Sequence, residues 1–75
     1  MTSARAFLRP VGGRIREERS RRGLTLEGLA RAAGVSKGLL SKIENFRAVP
    51  SLPVLASLAR ALGLDLAALV ADVQV

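Results

Sequence analysis

The apolar residues of this chain fall into short blocks at helical spacing, separated mostly by glycine, and no stretch alternates as a half-buried strand would. Val11 and Ile15 share one face of a first block, 11–22, which Gly23 stops. Thr25 suits a helix N-cap, and behind it Leu29, Ala30 and Ala33 recur over 26–33. Ser36 caps a third block, 37–45, whose stripe is Leu40 and Ile43. Ser51 caps a fourth, where Leu52, Leu55, Leu58, Ala59 and Leu62 recur, Pro53 falls in the first turn and Gly63 closes the block. Asp65 caps a short fifth, 66–70. The pattern predicts an all-α, compact five-helix bundle over residues 10–75, preceded by a disordered arm at 1–9.

One interval is more informative than the rest. Ala30, Gly34, Leu40 and Ile43 are spaced by four, six and three residues. Ala30 lets a second helix cross closely, Gly34 supplies a left-handed helix end, and Leu40 with Ile43 returns the next helix to the first. These are two helices meeting at a sharp corner, a helix-turn-helix over 26–45. The outward side of its second helix then carries Lys37, Gly38, Ser41, Lys42 and Asn45.

Composition narrows the chemistry. Seventy-five residues make one domain near the lower size limit for a single core. Without Cys or His there is no disulfide, no thiolate or imidazole metal ligand, and no usual general base, so no catalytic residue, metal or cofactor is expected and an enzyme is disfavoured. With only two Phe and no Tyr or Trp, single-strand stacking platforms are not expected. The apolar runs are too short to span a bilayer, which points to a soluble, cytoplasmic protein without a membrane partner.

The charge is lopsided. Residues 1–47 hold eleven of the twelve Arg and Lys against four acids, whereas residues 48–75 hold only Arg60 against Asp65 and Asp72. A basic half suits a polyanion, and the corner makes double-stranded DNA the natural one. Lys37 sits in the first turn of its helix, unfavourable against the helix dipole unless a phosphate stands in front of it, where amides beside Ser36 also point. Lys42 can donate to guanine, Ser41 to a base edge or a phosphate, and Asn45 to a base or the sugar-phosphate edge. Arg14 and Arg21 read as plain solvated charges. The aliphatics after Gly63, among them Leu66, Leu69, Val70 and Val73, exceed what a short helix needs and predict a homodimer contact.

Three segments taken in order, RIREERSRRGLTLEGLA, AGVSKGLLSKIEN and VPSLPVLASLARALGLDLAALV, resemble the lambda-repressor-like, Xre/Cro-type helix-turn-helix family. The resemblance implies that family's five-helix bundle, with its third helix in the DNA major groove and a dimer on a two-fold symmetric operator. It also implies phosphate clamps at Arg47 and at the amide end of the second helix, Thr25 and Leu26, and an internal ion pair between Arg19 and Glu44. Three positions depart from the family: Leu26 where Gln is frequent, Gly38 where a reading side chain is frequent, and Phe46 where Gly is usual. If the residue after the third helix needs positive φ, Phe46 would be strained there, so the loop is expected to differ locally or Asn45 to take that conformation instead.

The expected function is a sequence-specific double-stranded-DNA-binding transcriptional regulator, a dimeric repressor. Its regulation would come from concentration, dimerisation, a partner protein or a sensor domain elsewhere in a longer protein. A restriction-system controller protein and an antitoxin are alternatives within the family. The rival from another class is a protein-interaction adaptor that uses the bundle without reading DNA.

Overall fold

The computed structural model describes residues 4–70, with side chains from residue 10 onward. Five helices follow in order: α1 (Ala4–Arg21), α2 (Leu26–Ala33), α3 (Lys37–Glu44), α4 (Leu52–Ala61) and α5 (Leu66–Leu69). No strand occurs among the described residues. α2 packs on α4 and α3, α1 on α3 and α5, and α4 on α5.

Each of the last four helices starts on a short polar side chain that accepts a backbone amide three residues on. Thr25 accepts from Gly28 at 2.9 Å, Ser36 from Leu39 at 3.0 Å, Ser51 from Val54 at 3.3 Å and Asp65 from Ala68 at 2.8 Å. Such a cap satisfies one of the amides left without a carbonyl at a helix start, a contribution of about 1 kcal/mol. Between the helices, every turn is closed by the same pair of bonds, an i→i−5 bond wrapped around an i→i−3 bond. At the corner these are Val35 N–H to the Ala30 carbonyl (3.0 Å) and Gly34 N–H to that of Arg31 (3.2 Å). The enclosed residue is left-handed at all four helix ends: Gly23, Gly34 and Gly63 at φ 67°, 71° and 73°, and Phe46 at φ 62°. The expectation of a locally different loop or a left-handed Asn45 is overturned. Phe46 itself takes the left-handed conformation, and Asn45 stays at φ −101°.

The core draws on all five helices: Val11 and Ile15, Leu29 and Ala30, Leu40 and Ile43, Leu55, Leu58 and Ala59 with Leu62 just beyond them, and Leu69. α1 and α3 pack tightly at Gly12, where a Cβ would clash with the Ile43 carbonyl oxygen. Nothing in the local pattern signals that approach, because its partner is thirty-one positions away.

Two expectations are corrected. α1 starts at Ala4, so residues 4–9 continue the helix through Pro10 instead of forming a disordered arm. Proline removes a donor from a helix interior, but the Ala, Arg and Leu before it are strong helix formers. Residues 1–3 lie outside the described residues. Leu69 is only 1% exposed and belongs to its own protomer's core, so it is not available as a dimer contact. Leu66 and Val70 are half-buried against that core, and Val73 lies outside the described residues. A four-residue helix is too short for periodicity to tell an inward aliphatic from an outward one. The large apolar side chains exposed among the described residues are Phe46, Val49 and Leu52, around the α3–α4 connection.

Candidate nucleic-acid interface

α3 buries Leu40, Ile43 and Glu44, which turns Lys37, Gly38, Lys42 and Asn45 to the solvent, with Ser41 half-buried beside them. Gly38 leaves an open position, since a Cβ there would meet nothing within 4 Å. Among the described residues, the side chains of Lys42 and Arg47 make no ion pair or side-chain hydrogen bond, so both cations are available to a ligand. Thr25 and Ser36 are exposed, each with its oxygen already engaged as a cap and its hydroxyl proton still free to donate. The starts of α2 and α3 are tied to one another, because Lys37 Nζ donates to Glu27 Oε1 at 3.2 Å. The structure thus brings together most of the positions singled out in the sequence, with Thr25 linked to them through Glu27.

Asn45 is more occupied than its sequence position suggests. Its amide donates to the Ser41 carbonyl at 2.8 Å, and its oxygen accepts from Arg16 at 3.2 Å. A base contact from Asn45 requires exchanging those bonds.

The far end of α3 is held by charge. Arg19 grips Glu44 in a two-pronged contact, Nε to Oε2 at 2.8 Å and a terminal nitrogen to Oε1 at 2.9 Å, and gives its third bond to the Leu24 carbonyl at 2.9 Å. The Glu44 side chain is 1% exposed, so losing Arg19 would leave a buried carboxylate without its principal ion pair. The bond to Glu44 raises the Arg19 pKa above its ordinary value, against the opposing effect of burial. Arg16 joins from the other side, with Nε 3.5 Å from Glu44 Oε1. Arg16 was missed in the sequence, although its three-residue spacing from Arg19 puts both on the α1 face that meets α3.

A second buried acid was also missed. Glu18 is 3% exposed and lies among Arg14, Arg21 and Arg22, all within salt-bridge distance. Arg14 and Arg21 are therefore not plain solvated charges, because a buried carboxylate gathers them. The hydrogen bond from Arg22 lowers the Glu18 pKa below its ordinary 4.5; burial opposes this, and the charges of Arg21, Arg22 and Arg14 add to it. The signal lay in the four-residue spacing of Arg14, Glu18 and Arg22.

Among the described residues no cluster of acids is placed to hold a metal, and no helix is long and apolar enough to cross a membrane. The model of the helix-turn-helix domain family matches residues 10–72. The chain belongs to that family. Three of the solved structures similar to this helix-turn-helix domain illustrate the likeness. A helix-turn-helix family transcriptional regulator from Vibrio cholerae superposes with TM-score 0.87 at 28% identity, over 93% of this chain and 39% of its own. The clp gene regulator ClgR from Corynebacterium glutamicum gives 0.84 at 36%, over 89% and 71%. The restriction-modification controller protein C.AhdI from Aeromonas hydrophila gives 0.80 at 32%, over 83% and 94%. The domain therefore spans well under half of the first of these and nearly all of the last. No curated protein sequence matches it. The fold is lambda-repressor-like, and the three similar structures are those of two regulators and a controller protein.

Proposed function

We propose that this helix-turn-helix domain binds double-stranded DNA in a sequence-specific manner and regulates transcription from the cytoplasm, with α3 in the major groove. The observation that carries the reading is the outward face of α3, where Lys42 stands exposed without a partner among the described residues, beside Ser41 and the open position at Gly38. Lys42 addresses a base edge, while Ser41, Lys37, Arg47 and the caps at Thr25 and Ser36 hold the backbone. Asn45 acts mainly by fixing the end of the helix. Repression needs only occupancy of an operator, and a two-fold site needs a dimer whose α3 helices stand about 34 Å apart. The dimer contact we propose combines Leu66, Val70 and Val73 with the exposed Val49 and Leu52.

The test is affinity against salt for three variants on a selected and a random duplex. Lys42→Ala should lose about 1–3 kcal/mol on the selected duplex and relax one base position. Arg47→Ala should weaken both duplexes alike and flatten the salt dependence. Arg60→Ala, on α4, should change little. Equal losses for Arg60 and Lys42 would reduce the interaction to diffuse charge. Sedimentation of a monomer at high concentration would remove the dimer. The exposed Phe46, Val49 and Leu52 also fit a protein adaptor, which would show no salt-dependent affinity for random duplex.

A further inference from the structure

The charged contacts of α3 are of two kinds. Glu44 is sealed in, with its side chain 1% exposed and that of Arg19 17% exposed, so no ligand can reach between them. The Lys37–Glu27 pair is open, with side chains 59% and 65% exposed. Glu27 has a local reason to be where it is, since an acid in the first turn of α2 faces the positive end of the helix. Lys37 has none, since a cation in the first turn of α3 opposes that helix's dipole. The Glu27 carboxylate offsets the mismatch, in the position where a phosphate oxygen would do the same. Lys42 and Arg47, the other exposed cations of α3 and its loop, have no acid beside them among the described residues.

We propose that Glu27 is a built-in competitor for the DNA backbone: its carboxylate holds Lys37 in the free protein and is displaced by a phosphate when the start of α3 meets a duplex. The proposal rests on the DNA-binding reading above. A phosphate on Lys37 Nζ would stand close to a carboxylate only 3.2 Å from that nitrogen, so the two anions exclude one another. Because both side chains are solvated, the exchange costs little and is fast. Glu27 thus lowers affinity for every duplex by a similar factor and leaves base preference unchanged. Phosphate contact is non-specific, so a domain that restrains it spends less time on unrelated DNA.

The experiment is a double-mutant cycle on the whole chain. Wild type, Glu27→Gln, Lys37→Gln and the double variant are titrated with selected and random duplexes by fluorescence anisotropy over a salt series. Glu17→Gln serves as the control, an acid of similar exposure on α1. Glu27→Gln should tighten both duplexes by about two- to fivefold at low salt, the range set by an exposed ion pair, and the gain should shrink as salt screens it. In the Lys37→Gln background the same change should give no more than Glu17→Gln does. A gain of equal size in both backgrounds would mean long-range charge alone and overturn the proposal. A loss of affinity in Glu27→Gln would also overturn it, by showing that the bridge positions Lys37 for binding. If wild type shows no salt-dependent affinity for any duplex, the DNA-binding reading itself fails, and the proposal with it.

Discussion

The turn before α3 and the turn after it share the same hydrogen-bond pattern and differ in what sits at the left-handed position. Before the helix the residue is Gly34 at φ 71°, and a Cβ built on it would meet nothing. After the helix it is Phe46 at φ 62°, held by Phe46 N–H to the Ile43 carbonyl (3.2 Å) and Arg47 N–H to that of Lys42 (2.8 Å). A left-handed residue with a side chain costs about 1–2 kcal/mol. Phe46 offsets that with its ring, which lies so close over Gly12 that a Cβ there would meet Cδ1 at 3.0 Å and Cε1 at 3.1 Å. The start of α3 is therefore held by short-range geometry and an exposed ion pair. Its end is held by contacts with α1. A backbone conformation that one turn obtains from glycine, the other obtains by packing.

The largest effect should come from the charged part of that α1 contact. Arg19→Met strands the buried Glu44 and should cost about 3–5 kcal/mol in denaturant unfolding. Combined with Glu44→Gln it should cost much less than the sum of the two single changes. Additive losses below 1 kcal/mol would place the end of α3 on the same footing as its start. Next in size is Gly12→Ala, whose methyl would clash with the Ile43 carbonyl oxygen. It should cost about 1–3 kcal/mol, as overpacking does. The neighbouring Gly13→Ala meets nothing within 4 Å and should instead stabilise the helix, by about 0.5–1 kcal/mol. Equal thermal shifts for the two would remove the close approach of α1 and α3.

The two left-handed positions can be compared directly. Gly34→Ala should lose about 1 kcal/mol with nothing to offset it. Phe46→Gly should change stability by less than about 1 kcal/mol, because relief of backbone strain and loss of ring contact oppose one another. A gain larger than that of any other substitution in the set would mean that the ring contributes nothing.

The smallest expected effect lies in the pH dependence set by Glu18. The pKa of Glu18 is lowered in the fold, so its contribution is present above the unfolded value near 4.5 and is lost as pH falls through the lower folded value. Glu18→Gln should therefore flatten the acid limb of a stability–pH curve. An unchanged acid limb in Glu18→Gln would show that its arginines do not favour the ionised form.

Much of this was legible in the chain because it is local. Thr25, Ser36, Ser51 and Asp65 announce their helices three residues ahead of the amides they cap, and Gly23, Gly34 and Gly63 mark three of the four helix ends. The outward face of α3 followed from Leu40 and Ile43 pointing in. What could not be read are contacts between distant positions. Gly12 and Phe46 explain one another only once α1 and α3 are in place. Asn45 looked available because Arg16, twenty-nine positions earlier, is not a neighbour in sequence. Glu18 drew no notice because a charge on an apolar stripe is recognised as buried only when its partners are counted. Leu69 was assigned outward because a single helical turn carries no phase.

Gly38 has a consequence on a longer timescale. It occupies the exposed face of α3 with open space around it, and glycine is among the weakest residues a helix can carry there. Most routes by which a small domain acquires a new contact pass through a less stable ancestor. At this position the first step runs the other way: almost any replacement adds a side chain to the exposed face and strengthens the helix that presents it. One codon thus leaves the exposed face of α3 free to change without putting the fold at risk.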